Sequence, residues 1–107
     1  MQHAIYHTQG HPVDVLKLAK KTRMDIGMGQ VKVDVLAAPI HNSDLLQVQG
    51  MYASSPTLPA VPGSEGVGRV VELGADVTSL SVGQTVLLSG TGTWATQVIV
   101  SEQNCIP

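Results

Sequence analysis

The side chains with chemical potential are few and scattered. Tyr52 ends the run Gln49-Gly50-Met51-Tyr52, ahead of a proline-rich stretch. A phenol stays protonated at neutral pH and can donate a hydrogen bond to a developing oxyanion, although a loop tyrosine serves packing or surface equally well. Trp94, the only large aromatic besides two tyrosines in a chain without Phe, reads first as a core or cleft anchor. His3, His7 and His11 recur every fourth residue, a spacing that would put metal ligands on one side of a continuous helix or strand. Gly10 and Pro12 interrupt either element, so no metal centre is expected there. Cys105 is the single cysteine; it has no partner for an internal disulfide and reads as a small buried apolar group.

Glycine carries two further signals. Gly90-Thr91-Gly92-Thr93-Trp94-Ala95 fits the dinucleotide pattern Gly-x-Gly-x-x-Ala after a probable strand. That fingerprint also requires a helix next, whereas Gln97-Val98-Ile99-Val100 is strand-forming, so the run is read as a glycine-bearing turn between strands. Gly63, Gly66 and Gly68 lie close together in a strand-forming region, which points to a bulge or to the near approach of another segment or a ligand. Glu65 and Arg69, interspersed there, read as surface charge.

The elements that must position these residues are short. Eleven Gly and six Pro divide the 107 residues into segments rich in Val, Ile and Thr, the composition of an all-β domain. The clearest strand is 30–38, where Val31, Val33 and Val35 alternate with Lys32, Asp34 and Leu36. Segments 3–7, 15–18, 66–73, 84–89 and 93–100 are further candidates, and together the strands imply a barrel or sandwich. One short helix is predicted after Ile40, with Asn42, Ser43 and Asp44 offering oxygens to free backbone amides and Gly50 ending it. Pro56, Pro59 and Pro62 make 54–63 a stiff surface loop.

Length and charge bound the rest. A chain this size has room for one hydrophobic core. Six basic residues against eight acidic ones, net −2, form no patch for a phosphate backbone, so nucleic acid is not an expected partner. No apolar run approaches the ~20 residues of a membrane-spanning helix, and a cytoplasmic protein is expected.

Taken in order, Ala37-Ala38-Pro39-Ile40-His41-Asn42-Ser43-Asp44-Leu45, Gln49-Gly50-Met51-Tyr52 and the run from Leu58 to Val71 form a recognisable succession. Gly74-Ala75-Asp76-Val77, Val82-Gly83-Gln84-Thr85-Val86 and Gly92-Thr93-Trp94-Ala95 continue it. The chain resembles the medium-chain dehydrogenase/reductase superfamily, in its zinc-free quinone oxidoreductase and trans-2-enoyl-thioester reductase branch. The resemblance implies a mainly β, GroES-like distorted barrel with short peripheral helices. It further implies that residues 1–107 form a catalytic domain whose NADPH-binding Rossmann domain follows in a longer chain. The substrate would be an enoyl thioester or a quinone.

Residue by residue, the resemblance makes Tyr52 the catalytic tyrosine, hydrogen-bonding the thioester carbonyl while hydride reaches the β-carbon. Trp94 becomes a substrate-cleft residue. The branch usually reads Ile-Asn-Pro-Ser-Asp where this chain has Ile40-His41-Asn42-Ser43-Asp44, so His41 and Asn42 take the positions that face the cofactor. In zinc-dependent relatives the His41 and Ser64 positions hold metal ligands, but a serine hydroxyl is a poor zinc ligand and no metal is expected. A stand-alone GroES-like binding module resembling a co-chaperonin subunit is the competing reading, distinguished by a long mobile loop in place of the proline-stiffened one. Loss of a covering domain would expose apolar surface near 63–68 or the chain end, so a homodimer is expected for the isolated chain.

Overall fold

A computed structural model describes residues 1–22, 24–52, 56–90 and 92–107. Ser54 and Ser55 of the proline loop and Thr91 of the Gly-x-Gly run lie outside the described residues.

The chain is mainly β. Strands β1 (Gln2–Ile5) and β2 (Lys17–Lys20) form an antiparallel pair. Strands β3 (Gln30–Ala37), β4 (Glu65–Leu73), β5 (Thr85–Ser89), β6 (Gln97–Ser101) and β7 (Cys105–Ile106) form an antiparallel sheet in the order β6-β3-β4-β5-β7. Strand β1 joins the two sheets. Ala4 N–H donates to Trp94 O at 2.9 Å and Thr96 N–H to Gln2 O at 2.8 Å, while Tyr6 and Ala60 exchange two backbone bonds of 2.9 Å. These bridges tie the small sheet to the strip before β6 and to Ala60 of the proline-rich loop.

Alternation sets the core. Val31 and Val33 of β3, Val70 of β4, Val86 and Leu88 of β5, Val98 of β6 and Cys105 of β7 are buried in one cluster, joined by Val77 and Leu80 from the β4–β5 connection. Each such side chain removes enough apolar surface from water to contribute about 1.5–3 kcal/mol. The glycines of β4 fit this packing. A Cβ on Gly68 would collide with Val33 Cγ1 and lie 2.6 Å from the carbonyl oxygen of Asp34, and one on Gly66 would lie 3.1 Å from Ala37 O. The near approach expected at this cluster is therefore made by β3, whose pairing with β4 shifts register between Lys32 and Val33 and between Val35 and Ala37.

Helix α2 (Asn42–Gln49) runs where the sequence places it and ends at Gly50, whose φ of 78° is left-handed. Its N-cap is His41, just ahead of the expected polar cluster Asn42, Ser43 and Asp44, and Asp44 Oδ2 accepts the His41 backbone N–H at 3.1 Å.

Three elements differ from expectation. A four-residue helix, α1 (Pro12–Val15), takes the start of the segment expected as strand 15–18. Pro12 occupies its first turn, where a missing N–H costs nothing, and His11 Nδ1 accepts Val13 N–H at 3.3 Å. Segment 93–100 becomes strand only at Gln97, because Gly92 N–H and Trp94 N–H are drawn off to Gly63 O at 2.8 Å and Pro62 O at 3.1 Å. Strand β7 is two residues long, pairing Cys105 and Ile106 with Leu88 and Leu87, and so short a strand has no periodicity to read.

Candidate active site

The end of β3, the start of α2, the start of β4 and the strip before β6 meet in one place. Trp94 is half-buried there, its indole Nε1–H donating to Pro39 O at 3.2 Å. With Val35, Leu36, Ala38 and Ile40 it lines a shallow apolar groove of about 330 Å³. On the other side of Ala37 and Ala38 a larger groove of about 660 Å³ is lined by Glu65, Val67, Leu87, Leu88, Ser89 and Ile106. Leu87 and Ile106 are more than half exposed.

His41 is the N-cap residue of α2. Its Nε2 lies 3.0 Å from Glu65 Oε2, so the carboxylate accepts from the ring. Glu65 is exposed, as expected of a surface charge, and it also has His41 as a partner. The two residues are 24 positions apart, and no local pattern links them. Asn42 is the exposed first residue of α2.

Tyr52 lies at the other end of α2. Gly50 turns the chain out of the helix, Met51 N–H donates to Leu46 O at 2.9 Å, and Tyr52 follows with 47% of its surface exposed. An eight-residue helix spans about 12 Å, so His41 and Tyr52 flank α2 from opposite ends. Near that end a hollow of about 400 Å³ is lined by Tyr6, Gln47, Pro56, Thr57, Val61 and Gly92. Tyr6 is fully buried, and burial raises the pKa of its phenol.

Thr93 is a second residue that sequence reasoning passes over. It is buried, its Oγ1 has no hydrogen-bond partner among the described residues, and it packs directly against Gly63. The triplet His3, His7 and His11 is dispersed: His3 lies in β1, His7 follows Tyr6 on an exposed bend, and His11 caps α1. Among the described residues no group of three His, Cys, Asp or Glu side chains is gathered as for a metal ion. Gly90 and Gly92, with φ of 142° and 87°, turn the chain toward β6 and not into a helix. Among the described residues, the element that follows this glycine run is strand β6.

Residues 27–107 match the alcohol dehydrogenase GroES-like domain family. The chain belongs to that family. This GroES-like domain is 43% identical over 104 residues to the mitochondrial enoyl-[acyl-carrier-protein] reductase of Xenopus tropicalis, covering 95% of this chain and 30% of that protein. A candidate NADPH:quinone reductase from Bacillus thuringiensis superimposes with a TM-score of 0.91 at 37% identity, over 99% of this chain and 32% of that one. The Etr1p/Etr2p 2-enoyl thioester reductase of Candida tropicalis superimposes at 0.83 with 30% identity, over 98% and 32%. Etr1p has also been solved with NADP and crotonyl-CoA. The GroES-like domain here spans about a third of the length of the relatives it matches. Among the described residues no helix is long and apolar enough to cross a membrane.

Proposed function

We propose that the chain is the substrate-side catalytic domain, residues 1–107, of a zinc-independent, NADPH-dependent reductase acting on the activated double bond of an enoyl thioester. Its relatives include enoyl-thioester reductases and quinone reductases. The observation that carries the thioester reading is Tyr52, a half-exposed phenol delivered by the left-handed turn at Gly50.

When bound, NADPH would supply the hydride for the β-carbon. On this reading a Rossmann domain in a longer chain would hold most of the cofactor, in keeping with the 30–32% of its relatives' length that this chain covers. His41 and Asn42, at the start of α2, face the cofactor from this side. Tyr52 donates its O–H to the thioester carbonyl oxygen, stabilising charge as the enolate forms. The Trp94 indole, fixed by its bond to Pro39 O, forms an apolar wall against which the substrate lies. The isolated chain is inactive, and its exposed Leu87 and Ile106 favour association of two copies. The reductase is cytoplasmic on this reading, beside relatives whose names place them in mitochondria; fractionation of the whole protein separates the two locations.

The test joins this chain to the cofactor-binding portion of a reductase and follows NADPH-dependent reduction of crotonyl-CoA and of a quinone. Tyr52→Phe is expected to slow enoyl reduction by about 100- to 1000-fold. Unchanged enoyl reduction in that variant would remove the assigned role.

A further inference from the structure

Helix α2 is fastened at both ends. At its C-terminal end Gly10 N–H donates to Val48 O at 3.0 Å, Gln9 Nε2 to Gln47 O at 3.4 Å and Met51 N–H to Leu46 O at 2.9 Å, with Val48 fully buried. At its N-terminal end the incoming turn is tied by the Trp94–Pro39 bond, and His41 is tied by its contact of 3.0 Å with Glu65, the first residue of β4. Of these ties, only the His41–Glu65 contact runs directly between the helix cap and the central sheet. Glu65 also lies beside the positive end of the helix, where a carboxylate is favoured.

We propose that the His41–Glu65 pair is a positioning device for Tyr52. By tying the start of α2 to β4 it constrains the helix whose other end presents the phenol. The functional sense of this rests on the reading of Tyr52 as the hydrogen-bond donor. The two side chains are 44% and 63% exposed, and an exposed pair adds little to global stability. Its loss therefore shows in the placement of Tyr52 and not in melting, which separates positioning from simple support.

The test is the backbone amide and ring resonances of Tyr52 in the labelled chain. These are compared across the wild type, Glu65→Gln, His41→Asn, the double variant, and the reversed pair His41→Asp with Glu65→Lys. Asn and Asp keep a good helix cap. Each single change is expected to move the Tyr52 resonances while the melting midpoint stays within about 2 °C. The double variant should shift them no further than one single change, and the reversed pair should return them toward wild type. Unmoved Tyr52 resonances, additive shifts, or a folded reversed pair without recovery would each overturn the proposal. In the joined enzyme, Glu65→Gln is expected to lower kcat for crotonyl-CoA roughly tenfold; a change confined to the KM for NADPH would count against it. If Tyr52→Phe is silent in that enzyme, the donor reading fails, while the resonance shifts still decide whether the pair sets the position of Tyr52.

Discussion

Trp94 Nε1 and Pro39 O are 3.2 Å apart across 55 residues of sequence, and this bond ties the strip before β6 to the turn that enters α2. Trp94→Phe keeps much of the apolar contact and deletes the donor, leaving Pro39 O without this partner. Denaturant unfolding followed by circular dichroism is expected to show a loss of about 0.5–1.5 kcal/mol. Wild-type stability in Trp94→Phe would mean that packing alone holds the turn.

Two glycines with left-handed φ separate strain from collision. Gly83, at φ 92°, has open space around it, whereas a Cβ on Gly63, at φ 105°, would lie 2.6 Å from Trp94 Cδ1 and 2.9 Å from Trp94 N and would clash with Thr93 Oγ1. Gly83→Ala is expected to cost about 1–2 kcal/mol from backbone strain alone. Gly63→Ala adds overpacking of about 1–3 kcal/mol and should unfold at markedly lower urea. Equal midpoints for the two variants would contradict the packing described around Thr93.

Val33 is fully buried, and its Cγ1 occupies the space a Cβ on Gly68 would need. Val33→Ala opens a void that the sheet cannot close, and a loss of about 2–3 kcal/mol is expected in chemical denaturation. A cost under half of that would imply that β4 settles into the space.

Burial raises the pKa of both the Cys105 thiol and the Tyr6 phenol. In the unfolded chain these groups ionise in their ordinary ranges, near 8.5 and 10, so in that window the folded state binds more protons. The stability they contribute is fully present below the unfolded pKa values and is lost as pH rises through them toward the folded ones. Thermal midpoints should fall from pH 8 to pH 10.5, and Cys105→Ala should flatten the earlier part of that fall. An unaltered slope in Cys105→Ala would show that the thiol is not the group responsible.

Local pattern made most of the elements legible. The alternation of valines in β3 and the polar cluster before Leu45 with Gly50 behind it each act within a few positions of themselves, and both elements lie close to their expected places; the strand expected from residue 93 begins only at Gln97. Cys105 read as a small buried group and is one, because a lone thiol near an apolar pair has few alternatives. The four-residue helix at Pro12 and the two-residue strand at Cys105 escaped because neither is long enough to show a period.

What tertiary structure alone decided is which distant residues meet. The sequence determined that Tyr52 follows a short helix and that Gly63, Gly66 and Gly68 mark a close approach. It did not determine that β3 makes that approach, or that Glu65 reaches His41 across 24 positions. Strand pairing settles both, since register is a property of two segments at once and depends on how bulges at Lys32–Val33 and Val35–Ala37 rotate side chains onto the core face. Backbone preferences are written residue by residue, whereas the surroundings of His41, Glu65 and Trp94 arise only when β3, α2, β4 and the strip before β6 are brought together.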